Sequence, residues 1–184
     1  EIIYMNTSSF VSSPAYLGTL AHELQHAIHW EGDPGEETWV NEGAADFAMF
    51  LCGYAPTSHV RQFKAESSVS LVDWPNGIGS SGPYYGSAYL WMLYLYEQYG
   101  GLNTLKRIVQ SPQHGITGVE TALNVEGFGA PIEEVFGDYR VAVGADDDNL
   151  DGGRYGFRNE NVRVTSRPHL AYPVSGRTST LEGW

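Results

Sequence analysis

Residues 22–26 read His-Glu-Leu-Gln-His, a pattern whose residue types and spacing suit the binding of one metal ion. On an α-helix His22 and His26 lie one turn apart on the same face, so both imidazoles can reach the same ion. Glu23 follows His22 directly and would project to the edge of that ion. This H-E-x-x-H pattern predicts two zinc ligands and a carboxylate that accepts a proton from water. The pattern is short, so the rest of the chain must support it.

A catalytic zinc ion needs a third protein ligand and an open position for water. One pattern for that ligand extends the motif to H-E-x-x-H-x-x-G-x-x-H. In this chain the two later positions are His29 and Gly32, so a histidine stands where the glycine is required and a glycine where the ligand is required. The sequence therefore excludes the metzincin type of zinc site.

The segment Trp-Val-Asn-Glu-Gly-Ala-Ala-Asp at 39–46 offers a better third ligand. Fifteen residues separate His26 from Glu42, and Asp46 lies one helical turn after Glu42 on the same side. We predict that Glu42 completes the zinc site and that Asp46 accepts the second ring N–H of a zinc-bound histidine, which would be His22. The alternative is that both acids belong to a solvated helix face.

The motif lies in a segment with clear helix signals. Ser12-Ser13-Pro14 predicts a capped helix start, and apolar residues then recur at helical spacing through about Trp30. The segment 31–37 is rich in glycine, proline and acid, and a second helix is predicted over about 38–52. A short connector of this kind would fold the second helix back against the first, which brings Glu42 towards the histidines.

Elsewhere the patterns predict short helices and two strands. The β-prone run at 2–5 predicts a strand, which could pair at a sheet edge with an extended substrate, and a second strand is predicted at 162–164. Further helices are expected at 57–66, 84–101, 102–111, 117–124 and 131–143. We therefore predict a predominantly helical α+β fold in one domain, 1–184, divided into a strand plus active-site helix at 1–30, a mainly helical lobe at 31–144 and an irregular tail at 145–184.

Two sequence patterns carry a resemblance to a known group. HELQH followed by WVNEG is similar to the HELxH and WLNEG pattern of aminopeptidase-N-type enzymes, and Asn41-Glu42 with Asp46 is similar to the N-E-x-x-x-D pattern of thermolysin. The chain thus resembles the gluzincins, zinc peptidases whose third ligand is a glutamate on a later helix. The interval before Glu42 is three residues shorter than in the aminopeptidases, which favours a smaller, hyicolysin-like gluzincin family.

The resemblance implies a zincin-like catalytic domain and a set of residue roles. His22, His26 and Glu42 would bind zinc and Glu23 would act as general base. Asp46 carries over from the thermolysin-like pattern alone. The implied activity is cleavage of a polypeptide substrate; a non-peptidase zinc hydrolase and a catalytically inactive binding module on a peptidase scaffold are the alternatives.

A second stretch, Pro-Tyr-Tyr-Gly-Ser-Ala at 83–88, is similar to the P-Y-E-K-G-A stretch of the aminopeptidase-type enzymes. There the tyrosine donates a hydrogen bond to the oxyanion of the tetrahedral intermediate. Tyr84 is the nearest match and Tyr85 is the alternative. A role in packing alone would also explain the presence of either tyrosine. The G-x-M-E-N stretch that binds a substrate amino terminus in those enzymes has no counterpart before His22, so the resemblance favours an endopeptidase.

The amino-acid composition of the chain limits the kinds of partner that it can bind. Acidic residues outnumber basic ones by 22 to 10, which argues against binding to nucleic acid because phosphates require clustered lysine and arginine. No apolar run approaches the length of a membrane span. The single cysteine, Cys52, excludes an intrachain disulfide and is predicted to be buried. We expect a secreted monomer released from a longer precursor with a propeptide or further domains.

Asp147, Asn149 and Asp151 fit the start of an EF-hand-like calcium loop, which makes them candidate calcium ligands. Arg158 occupies the twelfth position, where such a loop needs a bidentate glutamate, so a solvated acidic turn is the alternative. The remaining four histidines are expected to be surface or packing residues: His29, His59, His114 and His169. His29 lies one residue short of a full turn from His26, so it is expected to point away from the face that His22 and His26 share.

Overall fold

The computed structural model describes residues 3, 5, 10–75 and 81–164. In that part of the chain the regular elements are seven α-helices and one short 3-10 turn. The helices are α1 Pro14–Gly32, α2 Thr38–Leu51, α3 Thr57–Ala65, α4 Gly82–Gln98, α5 Leu102–Val109, α6 Gly115–Val125 and α7 Ile132–Ala145, and the turn is Leu150–Gly153. Each helix predicted from the sequence is present, with ends that differ by a few residues.

The core is organised around α4. Its middle, 88–95, is an unbroken run of buried residues, so the helix is covered on every side. An apolar sequence without a polar face predicts such burial, because no side of the helix can face water cheaply. The helices α2 and α3 pack on α4, and α5, α6 and α7 extend the same core.

The first two helices form a hairpin. Ser13 caps α1 by accepting a hydrogen bond from the Tyr16 backbone N–H at 3.2 Å, and Pro14 occupies the first turn. The side of α1 that faces α2 carries Gly18, His22 and His26. The apolar residues that recur at helical spacing along α1 do not form this side. Of those residues Leu20, Leu24 and Ile28 are 37%, 51% and 55% exposed.

Two glycines allow helices to approach closely. A Cβ atom on Gly43 would lie 2.8 Å from the Ala88 carbonyl oxygen, and one on Gly86 would collide with the His59 carbonyl oxygen. Gly43 therefore brings α2 against α4, and Gly86 brings α4 against α3. These contacts fix α2 and α3, which carry site residues, on the buried helix.

The prediction of an α+β, zincin-like fold with an N-terminal strand region is wrong for the described residues, which are helical and contain no strand. Ile3 and Met5 of the predicted run 2–5 are not in a strand, and the rest of that run lies outside the described residues. At the second predicted strand the backbone N–H groups of Val162 and Arg163 donate to the Asp146 carboxylate at 2.7 and 3.0 Å. The ladder partners that a strand requires are thus replaced by one side chain.

The segment after α7 is irregular, as expected, but it is anchored as far as residue 164. Tyr94 donates a hydrogen bond to the Arg154 carbonyl oxygen at 3.1 Å, and Gln98 donates to that of Gly153 at 2.9 Å. Residues 165–184 lie outside the described part of the chain. Cys52 is exposed and not buried, and no described helix has the length and apolarity needed to cross a membrane.

Candidate metal centre

Three donor atoms from α1 and α2 converge in the structure. The Nε2 atoms of His22 and His26 lie 3.0 Å apart, and Glu42 Oε2 lies 3.2 Å from the first and 3.3 Å from the second. Tetrahedral zinc with bonds of about 2.0–2.1 Å separates its ligand atoms by about 3.3–3.4 Å. The three donors therefore fit a zinc ion with little rearrangement, and they form one of the two groups of potential metal ligands among the described residues.

Each histidine is oriented by a neighbour on α2. Asp46 Oδ1 lies 2.9 Å from His22 Nδ1, and Asn41 Oδ1 lies 3.0 Å from His26 Nδ1. An acceptor at Nδ1 places the ring proton there, which leaves the Nε2 lone pair directed at the metal position. The sequence analysis assigned no role to Asn41. Its position beside Glu42, on the helix that faces the motif, could have indicated one.

The charges of the centre are strongly coupled. Burial opposes protonation of His22, but hydrogen bonds to Asp46 and Glu42 outweigh it and raise the pKa of His22 to about 9. Burial likewise opposes ionisation of Glu42, but hydrogen bonds from the two histidines lower its pKa to about 2. The pKa of His26 is also raised, because its hydrogen bonds to Glu42 and Asn41 outweigh burial. Without a metal ion the centre therefore holds protons in the place of a cation.

A cleft of about 800 Å³ opens beside the centre. His22 and Glu23 line it from α1, and Asp46 lines it from α2. Tyr85 and the segment 53–59 also line the cleft. Glu23 thus follows one of the three donor residues and faces this open space.

The two candidate tyrosines lie in different places. Tyr85 lines the cleft, and its ring centre lies 6.3 Å from that of His22. Tyr84 packs against Trp74 at the edge of the core. Burial, with the charges of Glu42 and Asp46, raises the pKa of Tyr85, so its hydroxyl keeps its proton at neutral pH and can donate a hydrogen bond.

His59 belongs to the site, although sequence reasoning placed it among surface or packing residues. Its Nδ1 lies 2.6 Å from Asp46 Oδ2, it lines the cleft, and its ring packs on Tyr85 with 4.9 Å between ring centres. The buried Asp46 carboxylate therefore contacts His22 through Oδ1 and His59 through Oδ2. No local pattern around residue 59 signals this, because the contact arises from the packing of α3 on α4.

Of the three candidate calcium ligands, Asn149 and Asp151 are exposed and Asp147 is half-buried. Asp147 Oδ1 accepts hydrogen bonds at 3.0 Å from the backbone and side-chain N–H groups of Asn149. Asp151 pairs with Arg154 at 3.7 Å. A calcium site at these three residues stays a prediction.

Comparison of the chain with protein-family models and with curated proteins gives no match.

Proposed function

We propose that this protein is a zinc-dependent endopeptidase of the gluzincin type. The observation that carries the proposal is the convergence of His22, His26 and Glu42 donor atoms within 3.3 Å of one another. Two further features support it: Glu23 stands at the cleft beside the donors, and Asp46 orients one of them. The resemblance to the HELxH and N-E-x-x-x-D patterns supports a peptide as the substrate.

The three donors would hold the zinc ion through two imidazole nitrogens and one carboxylate oxygen. A zinc ion bound there supplies Lewis acidity, which polarises a carbonyl group and makes a water molecule more acidic. Asp46 and Asn41 keep the Nε2 lone pairs directed at the ion. Both histidines and Glu42 come from a hairpin fixed on the core, which limits reorganisation of the site.

The chain's own residues perform the proton transfers in the proposed reaction. Glu23 accepts a proton from the attacking water and delivers it to the leaving amine. The Tyr85 hydroxyl donates a hydrogen bond to the oxyanion that forms at the scissile carbonyl. His59 acts as a positioning residue, because its ring packs against Tyr85 while Asp46 holds its Nδ1.

The test combines a metal assay with a digestion assay. We expect purified protein to contain zinc and to cleave an internally quenched peptide with both ends blocked, and we expect a chelator to stop the cleavage. Cleavage restricted to unblocked ends would exclude an endopeptidase. Zinc without any cleavage of casein or a peptide library would favour the non-peptidase hydrolase, and absence of zinc would favour the binding module.

Substitution of Glu23 by glutamine tests its role as the general base. This variant should bind zinc normally and lose at least about 10²-fold in turnover, because it removes the general base and leaves the ligands in place. The matched control is Glu31→Gln, an exposed acid on the same helix, which should keep full activity. Near-normal turnover of Glu23→Gln would rule out the proposed mechanism.

A further inference from the structure

A second group of metal-binding side chains lies at the end of α1, outside the donors described above. His29, Asp33 and Glu36 each offer a ligand atom, and these atoms all lie within 4.8 Å of one another. His29 is 1% exposed and Asp33 is 7% exposed. His29 follows His22 by two helical turns, so it lies on the stripe of α1 that faces α2 and does not point away from it, as sequence reasoning had suggested.

The group contains buried polar atoms without partners. Within the described part of the chain, neither ring nitrogen of His29 has a hydrogen-bond partner at ordinary distance and angle, although the Asn41 side chain lies nearby. Asp33 Oδ2 and Glu36 Oε2 have no donor. A buried polar atom without a partner costs about 1–3 kcal/mol, and more where the group is charged. Three of these atoms could bind one cation: one ring nitrogen of His29 and one oxygen of each acid.

The other oxygen of each acid is held in place. Asp33 Oδ1 accepts a hydrogen bond from the Gly35 backbone N–H at 3.1 Å and lies 2.9 Å from His114 Nε2. Glu36 Oε1 accepts from the Gly115 backbone N–H at 2.7 Å. Each carboxylate is thus anchored through one oxygen, which orients it, and the second oxygen remains free for a ligand.

The electrostatics of the group favour a cation. Burial lowers the pKa of His29, although the charge of Asp33 and the Asn41 side chain oppose the shift, so the imidazole is neutral and offers a lone pair at pH 7. Burial raises the pKa of Glu36, and the nearby charge of Asp33 adds to the shift. Positive charge placed between the two acids would relieve both costs.

We propose that His29, Asp33 and Glu36 bind a second divalent cation, and that this cation is zinc. One imidazole nitrogen with two carboxylate oxygens suits zinc, whereas calcium takes oxygen ligands only. Asp33 and Glu36 also line a cavity of about 270 Å³, which His26 and Glu42 of the first centre line as well.

The position of this site gives it a structural role. His29 lies on α1, Asp33 and Glu36 lie in the connector before α2, and Glu36 also contacts the start of α6. A cation here would tie the connector to α1 and to the start of α6. The donors of the first centre converge through the packing of α1 on α2, so the two sites can be tested separately.

Zinc stoichiometry tests the proposal on the full chain. Protein equilibrated with zinc and dialysed would be measured by mass spectrometry of the metal. We expect two zinc ions in the natural protein, one in Glu36→Gln, one in His26→Ala and none in the combined variant. Glu31 is an exposed acid on α1, and the Glu31→Gln variant should keep both zinc ions.

Several outcomes would overturn the proposal. One is a Glu36→Gln variant that binds as much zinc as the natural protein. Another is a site that takes calcium and rejects zinc when both are offered. Because Glu36→Gln is conservative, misfolding can be checked by circular dichroism and separated from metal loss. Addition of zinc to metal-free His26→Ala should raise its melting temperature, and a melting temperature independent of zinc would also refute the site. A failed endopeptidase assay would leave these measurements unchanged.

Discussion

Asp46 is the residue on which the candidate centre most depends. Its side chain is fully buried, and its two oxygens contact the Nδ1 atoms of His22 and His59 at 2.9 and 2.6 Å. A buried carboxylate is costly unless it is paired, and here both oxygens are used. One side chain therefore couples the orientation of a metal donor to that of a cleft residue.

Replacement of Asp46 tests this coupling. In Asp46→Asn the geometry can persist, but the negative charge that orients both imidazoles is lost. We expect zinc affinity or activity to fall by about 10–100-fold, as measured by competition with a chromogenic zinc chelator. The exposed Asp73 provides a control, and Asp73→Asn should leave the affinity unchanged. Equal affinities in the two variants would make Asp46 a purely structural acid.

The two adjacent tyrosines allow a matched comparison. Tyr85→Phe should lower kcat by about 10²–10³-fold with little change in KM, because the lost hydrogen bond acts on the transition state. Tyr84→Phe should have a far smaller effect, since Tyr85 lines the cleft and Tyr84 is not among the residues that line it. Steady-state kinetics on one quenched peptide would measure both. A larger loss at Tyr84 would reverse the assignment.

At the scale of helices, the site depends on how closely α2 approaches α4. Gly43 follows Glu42 directly and lies against the backbone of α4, where a Cβ atom would be 2.8 Å from the Ala88 carbonyl oxygen. A larger residue would push α2 outward and carry Glu42 with it. The glycine is thus required by packing, in addition to any part it has in the sequence motif.

Alanine substitutions measure this approach. Gly43→Ala should lower the free energy of unfolding by about 1–3 kcal/mol through overpacking. Gly137→Ala is the control, since Gly137 lies exposed within α7 with nothing within 4 Å of an added Cβ. That change should raise stability by about 0.4–1 kcal/mol. Chemical denaturation would measure both, and equal effects would argue against a tight α2–α4 contact.

The helices were predictable because their signals are local. Ser13 and Pro14 mark the start of α1, and the apolar run of α4 marks a buried helix. Contacts between distant segments were not predictable. The backbone N–H groups of Val162 and Arg163 donate to the Asp146 carboxylate. His59 reaches Asp46 because α2 and α3 both pack on α4.

The candidate site was likewise predictable where it depends on local spacing and not where it depends on tertiary packing. The spacing of His22, His26 and Glu42 is a sequence property, and the structure places their donor atoms together. The choice between Tyr84 and Tyr85 depends on which way the first turn of α4 faces, and that depends on tertiary packing. The interpretation of His29 failed because its distance was counted from His26 and not from His22.

At the scale of the whole molecule, stability and metal binding are linked through pH. In the metal-free protein the pKa of His22 is about 9, above its usual 6.5, so protonated His22 stabilises the fold fully below pH 6.5. That contribution is lost as the pH rises towards 9. Zinc requires the neutral imidazole, so zinc binding displaces a proton below pH 9 and tightens as the pH rises.

Thermal unfolding with and without zinc tests this linkage. Between pH 6.5 and 8.5 we expect the melting temperature of the chelator-treated protein to fall relative to that of the zinc-loaded protein. The gap between the two should therefore widen with pH. Glu42, with its pKa of about 2, stays ionised over the whole range and adds no trend. A gap that narrows with rising pH would contradict the assignment of His22 as a ligand.

The hairpin of α1 and α2 also bears on the order in which the molecule assembles. All three donors lie between positions 22 and 42, whereas burial of α4 requires segments on both sides of it in the sequence. Closing a short loop costs little chain entropy, and local contacts form early in folding. The contacts between the three donors are therefore among those that cost the least chain entropy to form. The final position of Glu42 still requires α4, because Gly43 packs α2 against it.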